Sequence, residues 1–165
     1  TLKSDYAGAT KMDIIIAGIT ACLAMDIFQR FLLVTTSQPP SNWAVVGRWA
    51  FNVLRTARLY QPDIESTDEI KGEHAFGWVV HYAVGIGYAF IYAEFMQRDL
   101  LTTSLSDGLL FGFLSVIIPW LFFLPVLGKG IMAKHTPAPA KVCMLALANH
   151  CVFGLGMAGG FQLSV

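Results

Sequence analysis

Residues 105–127 read LSDGLLFGFLSVIIPWLFFLPVL, an almost uninterrupted apolar run. A helix that crosses the hydrocarbon core of a bilayer needs about 20 such residues. Three further stretches reach that length, at residues 12–34, 75–96 and 142–163. The sequence therefore predicts an all-α, polytopic membrane protein in which four transmembrane helices form a single domain over residues 1–165.

The composition excludes several other classes of protein. Charged residues make up 13% of the chain and apolar residues 55%, whereas soluble domains carry about 25% charged residues. Such a chain cannot cover a soluble globule with polar side chains, and it is too apolar for a disordered segment. Eleven basic and eleven acidic residues give no net charge, so a nucleic-acid partner has no electrostatic support. The partner that the composition does predict is the lipid bilayer.

The connection between the first two helices contains an amphipathic segment, at residues 42–60. Its apolar residues recur at helical spacing, and Arg48, Asn52 and Arg55 gather on the opposite face. Basic residues together with Trp43 and Trp49 suit an interfacial helix in the headgroup region. A helix docked on its own bundle explains the pattern equally well.

Lysine and arginine residues predict the orientation of the chain. Eight of the eleven fall in the first and third connections or at the adjoining helix ends, and three fall in the N-terminal tail and the second connection. Because cytoplasmic loops carry the excess of these residues, we expect both termini on the outer, periplasmic side.

Three ionisable residues are expected at a similar depth in the membrane. Asp26 lies about 12 Å above the cytoplasmic end of its helix, His81 about 9–10 Å and His150 about 12 Å, at 1.5 Å per residue. A charged residue at the bilayer centre is expensive and usually faces the bundle interior. The sequence thus predicts an intramembrane polar site at these three residues. The supporting residues are Arg48, which could pair with Glu73, and Trp120 in the third helix.

Three interpretations of this polar site remain open. It is a hydrogen-bonded cluster that fixes helix packing, a site that handles a proton, a cation or a small solute, or a redox or metal site. In the last case His81 and His150 would ligate a b-type haem, or would hold a metal ion together with Asp26. No familiar catalytic motif is present, so the sequence favours a non-enzymatic membrane protein.

Glycines follow the two histidines in a shared pattern, H-x-x-x-G-x-G, which begins at His81 and again at His150. We expect close helix packing at these and neighbouring small residues, because a missing side chain lets two backbones approach. The predicted packing positions are Gly85, Gly87, Gly154, Gly156 and Gly160. A second interpretation is that the glycines leave space for a flat cofactor beside the histidines.

A role as an accessory or assembly subunit of a larger membrane complex is the main functional alternative. The chain has 165 residues, and the sequence contains no sizeable soluble segment. Its glycine-rich faces and its partly apolar insertion could contact other membrane subunits or a second copy of the chain.

Five segments together resemble a known bacterial family. They read VGRW at 46–49, GEHAFGWVVHY at 72–82, GKG at 128–130, TPAP at 136–139 and HCVFGLG at 150–156. The family is domain of unknown function 2938, a group of small polytopic inner-membrane proteins. The resemblance implies a location in the bacterial inner membrane, and it implies no activity.

Overall fold

The computed structural model describes residues 9–164, and every regular element within them is helical. The longer helices are α1 (Lys11–Thr36), α2 (Trp43–Thr56), α3 (Glu73–Gln97), α4 (Leu105–Ser115) and α6 (Pro139–Ser164). A π-helical turn (Pro119–Phe123) and the short α5 (Leu124–Val126) continue from α4, and two 3₁₀ turns lie at Ile64–Ser66 and Ile131–Ala133.

Four helical spans are long and apolar enough to cross a membrane: Lys11–Thr36, Glu73–Gln97, Leu105–Val126 and Pro139–Ser164. They confirm the four predicted transmembrane stretches, with ends that agree to within three residues. The predicted all-helical membrane fold is therefore correct.

Local sequence fixes where α1 begins and ends. The Thr10 hydroxyl accepts a hydrogen bond from the Asp13 N–H, and the Thr10 N–H donates to the Asp13 carboxylate. This reciprocal pair satisfies two donors that a helix start would otherwise leave unpaired. At the other end Ser37 adopts a left-handed conformation with φ 57°, which stops the helix after Thr36.

The third span differs from the single continuous helix that was expected over 105–127. Its backbone changes from α-helical to π-helical at Pro119, and the Leu124 N–H donates to the Pro119 carbonyl. Pro125 lies within the short α-helical segment that follows. A proline has no N–H to donate and its ring collides with the preceding turn, so two prolines in seven residues explain the break in the regular α-helix.

The backbone contacts group the described residues into two units. The first unit contains residues 9–40, 82–114 and 149–164, and thus α1, α4 and most of α3 and α6. Tyr92 and Phe161 are fully buried in its core and stack with ring centroids 5.5 Å apart. The Tyr92 hydroxyl donates to the Thr102 carbonyl at 2.6 Å, so the one polar atom of this buried ring is satisfied.

Glycines let the helices of the first unit approach closely. A Cβ at Gly156 would lie 2.7 Å from the Ala24 Cβ, and one at Gly160 would lie 2.6 Å from the Ala17 Cα. A Cβ at Gly85 would collide with the Cys22 sulfur, and one at Gly154 would collide with the Gly108 carbonyl oxygen. These glycines are needed for the observed spacing, because such contacts are shorter than real side chains tolerate.

Gly87 is an exception among the predicted packing glycines. It is exposed, and a Cβ built on it would meet nothing within 4 Å. The assignment of Gly87 to helix packing is therefore corrected. Gly87 is two residue steps from Gly85, a rotation of about 200° around the helix, so the two glycines face different surroundings.

The second unit contains residues 41–81 and 115–148, and α2 is docked within it. Val45, Trp49 and Ala50 of α2 are buried with Ile64 and Val126 in one apolar cluster. Of the two interpretations of the amphipathic segment, docking on the protein is the one observed. The helix ends at Thr56 rather than at residue 60.

Candidate functional site

Asp26 accepts a hydrogen bond from the side chain of another membrane-capable helix. The Tyr82 hydroxyl of α3 donates to the Asp26 Oδ2 at 3.1 Å. Asp26 lies ten residues before the end of α1, which places it about 15 Å from that end. Cys22 and Gln29 on the same helix are buried, whereas Asp26 itself is only half-buried. The carboxylate therefore accepts from Tyr82 and retains exposed surface.

The first unit gives His150 an aromatic environment. Its ring lies 6.2 Å from Tyr88, edge to face, and 6.0 Å from Phe153. The imidazole is half-buried. A Cβ at Gly112 would collide with the His150 carbonyl oxygen, so α4 and α6 are in close contact at this position.

The second unit places His81 against tryptophans. The imidazole stacks on the Trp43 ring at a centroid distance of 4.0 Å and an interplanar angle of 23°. Trp78 meets it edge to face at 5.7 Å. His81 is 6% exposed, and its ring is thus held between α2 and its own helix.

Each of the three predicted site residues has a different aromatic neighbour. Tyr82, which the predicted site does not include, is the residue that the structure brings to Asp26. The sequence indicates Tyr82 only through its position directly after His81. Consecutive helical residues point about 100° apart, so the two side chains have different neighbours. Among residues 9–164 no three His, Cys, Asp or Glu side chains are grouped to hold a metal ion. The metal interpretation of Asp26, His81 and His150 stays a prediction.

Arg48 and Glu73 form a buried ion pair in the second unit. The Arg48 Nε donates to Glu73 Oε2 and the Arg48 Nη2 donates to Glu73 Oε1, each at 2.7 Å. The residues are 5% and 6% exposed. Within the polar face predicted for α2, Arg48 is buried, and its guanidinium points to α3. The pairing with Glu73 is as the sequence suggested.

The same pair also fixes the acidic connection between α2 and α3. The Arg48 Nη1 donates to the carbonyls of Ile64 and Thr67, at 3.2 and 2.6 Å. Glu73 accepts from the Ile70 N–H at 2.8 Å. Hydrogen bonding to the Glu73 carboxylate raises the pKa of Arg48 above its usual value, so the guanidinium stays charged. The network is a structural clamp for residues 64–73.

Trp120 lies in the π-helical turn of the second unit. Its indole Nε1 is buried and has no hydrogen-bond acceptor among the described residues. A wide π-helical turn is often found where a helix is adapted to a functional requirement. Trp120 thus marks the irregular part of the third span.

A protein-family model matches nearly the whole of the chain, including the residues described above. The family model described as protein of unknown function, DUF2938, matches residues 15–163. The chain belongs to the DUF2938 family. The match to DUF2938 confirms the resemblance seen in the five sequence segments, and it includes both the Asp26–Tyr82 contact and the Arg48–Glu73 pair. Neither a curated protein nor a solved structure matches the chain.

Proposed function

We propose that this protein is a non-enzymatic membrane protein that handles a proton, a cation or a small solute at Asp26. The observation that carries the proposal is the hydrogen bond from the Tyr82 hydroxyl to the Asp26 carboxylate. Both residues lie within helices that are long and apolar enough to cross a membrane. An intramembrane carboxylate that pairs with a polar group on another helix is typical of proton and ion pathways.

The chemistry of the carboxylate supports binding rather than packing alone. An ionised carboxylate has about four lone-pair positions for hydrogen bonds or cations. Tyr82 supplies one donor, and the half-buried Asp26 is not sealed by the surrounding helices. The exposed part of the carboxylate can take up a proton or meet a cation or a solute that donates a hydrogen bond.

Close helix contacts would hold this site in place. Gly18 of α1 lies against the Ile86 backbone, and Gly85 of α3 lies against Cys22. The first contact is two turns before Asp26 and the second is one turn before it. Two helices in contact at glycines keep a short hydrogen bond aligned better than helices separated by large side chains. In this proposal His81 and His150 assist proton movement. His81→Gln and His150→Gln test each residue separately.

Asp26→Asn is expected to lower proton or cation movement by at least about tenfold, because a neutral amide neither takes up a proton nor attracts a cation. The assay uses proteoliposomes loaded with a pH-sensitive dye, given a pH step in sodium or potassium buffer. Tyr82→Phe should give a smaller loss, since it removes a hydrogen bond to the carboxylate but leaves its charge in place. Unchanged flux in Asp26→Asn would overturn the proposal.

Glu94→Gln is the matched control, since Glu94 is a carboxylate near the end of α3 that pairs with exposed Arg98 at 3.8 Å. Its flux should equal that of the wild type. Thermal unfolding in mild detergent separates function from packing. A charged carboxylate at the centre of a membrane helix costs about 2.5–3.5 kcal/mol. The unfolding temperature of Asp26→Asn should therefore be no lower than that of the wild type. Lower stability with normal flux would assign Asp26 to helix packing.

A further inference from the structure

An open polar depression lies in the second unit beside the end of a membrane span. It has a volume of about 350 Å³, and its lining includes Asn52, Thr56, Arg58, Tyr60 and Asp63. The Gln61 N–H donates to the Val126 carbonyl at 2.7 Å, and Val126 is the last residue of the span Leu105–Val126. The depression is therefore at the level where this span would leave the hydrocarbon core.

Hydrogen bonds fix the wall of the depression against α2. The Asn52 side chain donates to the Gln61 side-chain oxygen at 3.1 Å, and the Gln61 amide donates to the carbonyls of Trp49 and Arg58. Ala57 turns the chain with φ 54° directly after α2. The segment that carries Arg58 is thus held in place.

One unpaired cation and one unpaired anion line this depression. Arg58 and Asp63 are both exposed, and within residues 9–164 neither side chain makes a hydrogen bond or an ion pair. Two other cations of the second unit are paired: Lys129 contacts Glu65 at 2.8 Å, and Arg48 is buried with Glu73. The two free charges are therefore available to a ligand that carries both signs.

Exposed apolar side chains flank Arg58 in the sequence. Leu54 is 75% exposed, Leu59 48% and Tyr60 64%. Tyrosine is enriched at the membrane interface, where its ring contacts apolar chains and its hydroxyl contacts headgroups. A polar depression with this border matches an amphiphile that has a charged head and an apolar tail.

We propose that this depression binds the headgroup of a zwitterionic phospholipid that carries a primary amine. The guanidinium of Arg58 binds the phosphodiester, because its planar donors match phosphate oxygens. The Asp63 carboxylate binds the ammonium group, and the acyl chains lie along Leu54 and Leu59. This inference is independent of the function proposed for Asp26.

The test is native mass spectrometry of the delipidated protein in mild detergent, titrated with dioleoyl phosphatidylethanolamine or dioleoyl phosphatidylglycerol. Arg58→Gln should weaken binding of both lipids by about fivefold, the effect of one basic residue near a lipid surface. Asp63→Asn should weaken only phosphatidylethanolamine, since phosphatidylglycerol has no amine. Arg55→Gln is the matched control, because Arg55 is exposed in the last turn of α2 and does not line the depression.

Three results would overturn the proposal. Equal losses in Arg58→Gln and Arg55→Gln would indicate diffuse surface charge instead of a site. An Asp63→Asn variant that binds both lipids as the wild type does would exclude recognition of the amine. Competition by water-soluble glycerophosphoethanolamine as strong as that by the intact lipid would indicate a site for a soluble phosphate ester. Both substitutions are at exposed side chains, so helical content measured by circular dichroism should stay unchanged.

Discussion

Arg48→Ala is expected to destabilise the protein by about 3–5 kcal/mol, the range observed when one partner of a buried ion pair is removed. The substitution leaves the Glu73 carboxylate buried without its two guanidinium hydrogen bonds. It also removes the guanidinium donor from the Thr67 carbonyl and one of two donors from the Ile64 carbonyl. The measurement is thermal unfolding in mild detergent. Unfolding is detected with a thiol-reactive dye that labels the buried cysteines as they become exposed.

Lys129→Ala provides the matched control, since its ion pair with Glu65 is as short, at 2.8 Å, but is partly exposed. Exposed pairs contribute at most about 1 kcal/mol, so this variant should unfold close to the wild type. Similar losses in both variants would contradict the assignment of Arg48 as a buried clamp.

A double variant separates the charge pair from the backbone contacts. Replacing both partners of a buried pair with apolar residues is often neutral. Here Arg48→Met with Glu73→Leu still removes the side-chain partners of the Thr67 carbonyl and the Ile70 N–H. We therefore expect the double variant to recover only part of the lost stability. Full recovery would show that the backbone contacts of the clamp contribute little.

The membrane spans could be predicted because their signal is local. Length and hydropathy alone predict a helix long enough to span in each apolar stretch, and the bounds agree to within three residues. The break in the third span was harder to place. Pro119 and Pro125 are visible in the sequence, but whether a proline kinks, widens or ends a helix depends on the neighbouring helices.

The polar contacts could be predicted only in part, because their partners are distant in sequence. The Arg48–Glu73 pair spans 25 residues and the Tyr82–Asp26 contact spans 56. The amphipathic pattern of α2 placed Arg48 with Asn52 and Arg55, since one helical face collects all three. The pattern contains no information on which residue of that face is covered by α3. Glu73 is the only feature of the sequence that indicated it.

Gly77→Ala is expected to cost about 3 kcal/mol or more, at the upper end of the range for overpacked cores. A Cβ at Gly77 would collide with the backbone carbonyl of Trp43, and one at Gly47 would collide with the carbonyl of Glu73. Backbone atoms cannot rotate away as a side chain can, so α2 must move as a whole. That movement would also pull Arg48 from Glu73.

Gly87→Ala is the control on the same helix, because a Cβ there would meet open space. Replacing a helical glycine by alanine without a clash stabilises by about 0.5–1 kcal/mol. The two substitutions should therefore shift the unfolding temperature in opposite directions. Gly47→Ala and Gly77→Ala disturb one contact between α2 and α3, so their combined loss should be smaller than the sum of the single losses. Additive losses, or a mild effect of Gly77→Ala, would mean that α2 is not held against α3 by these two glycines.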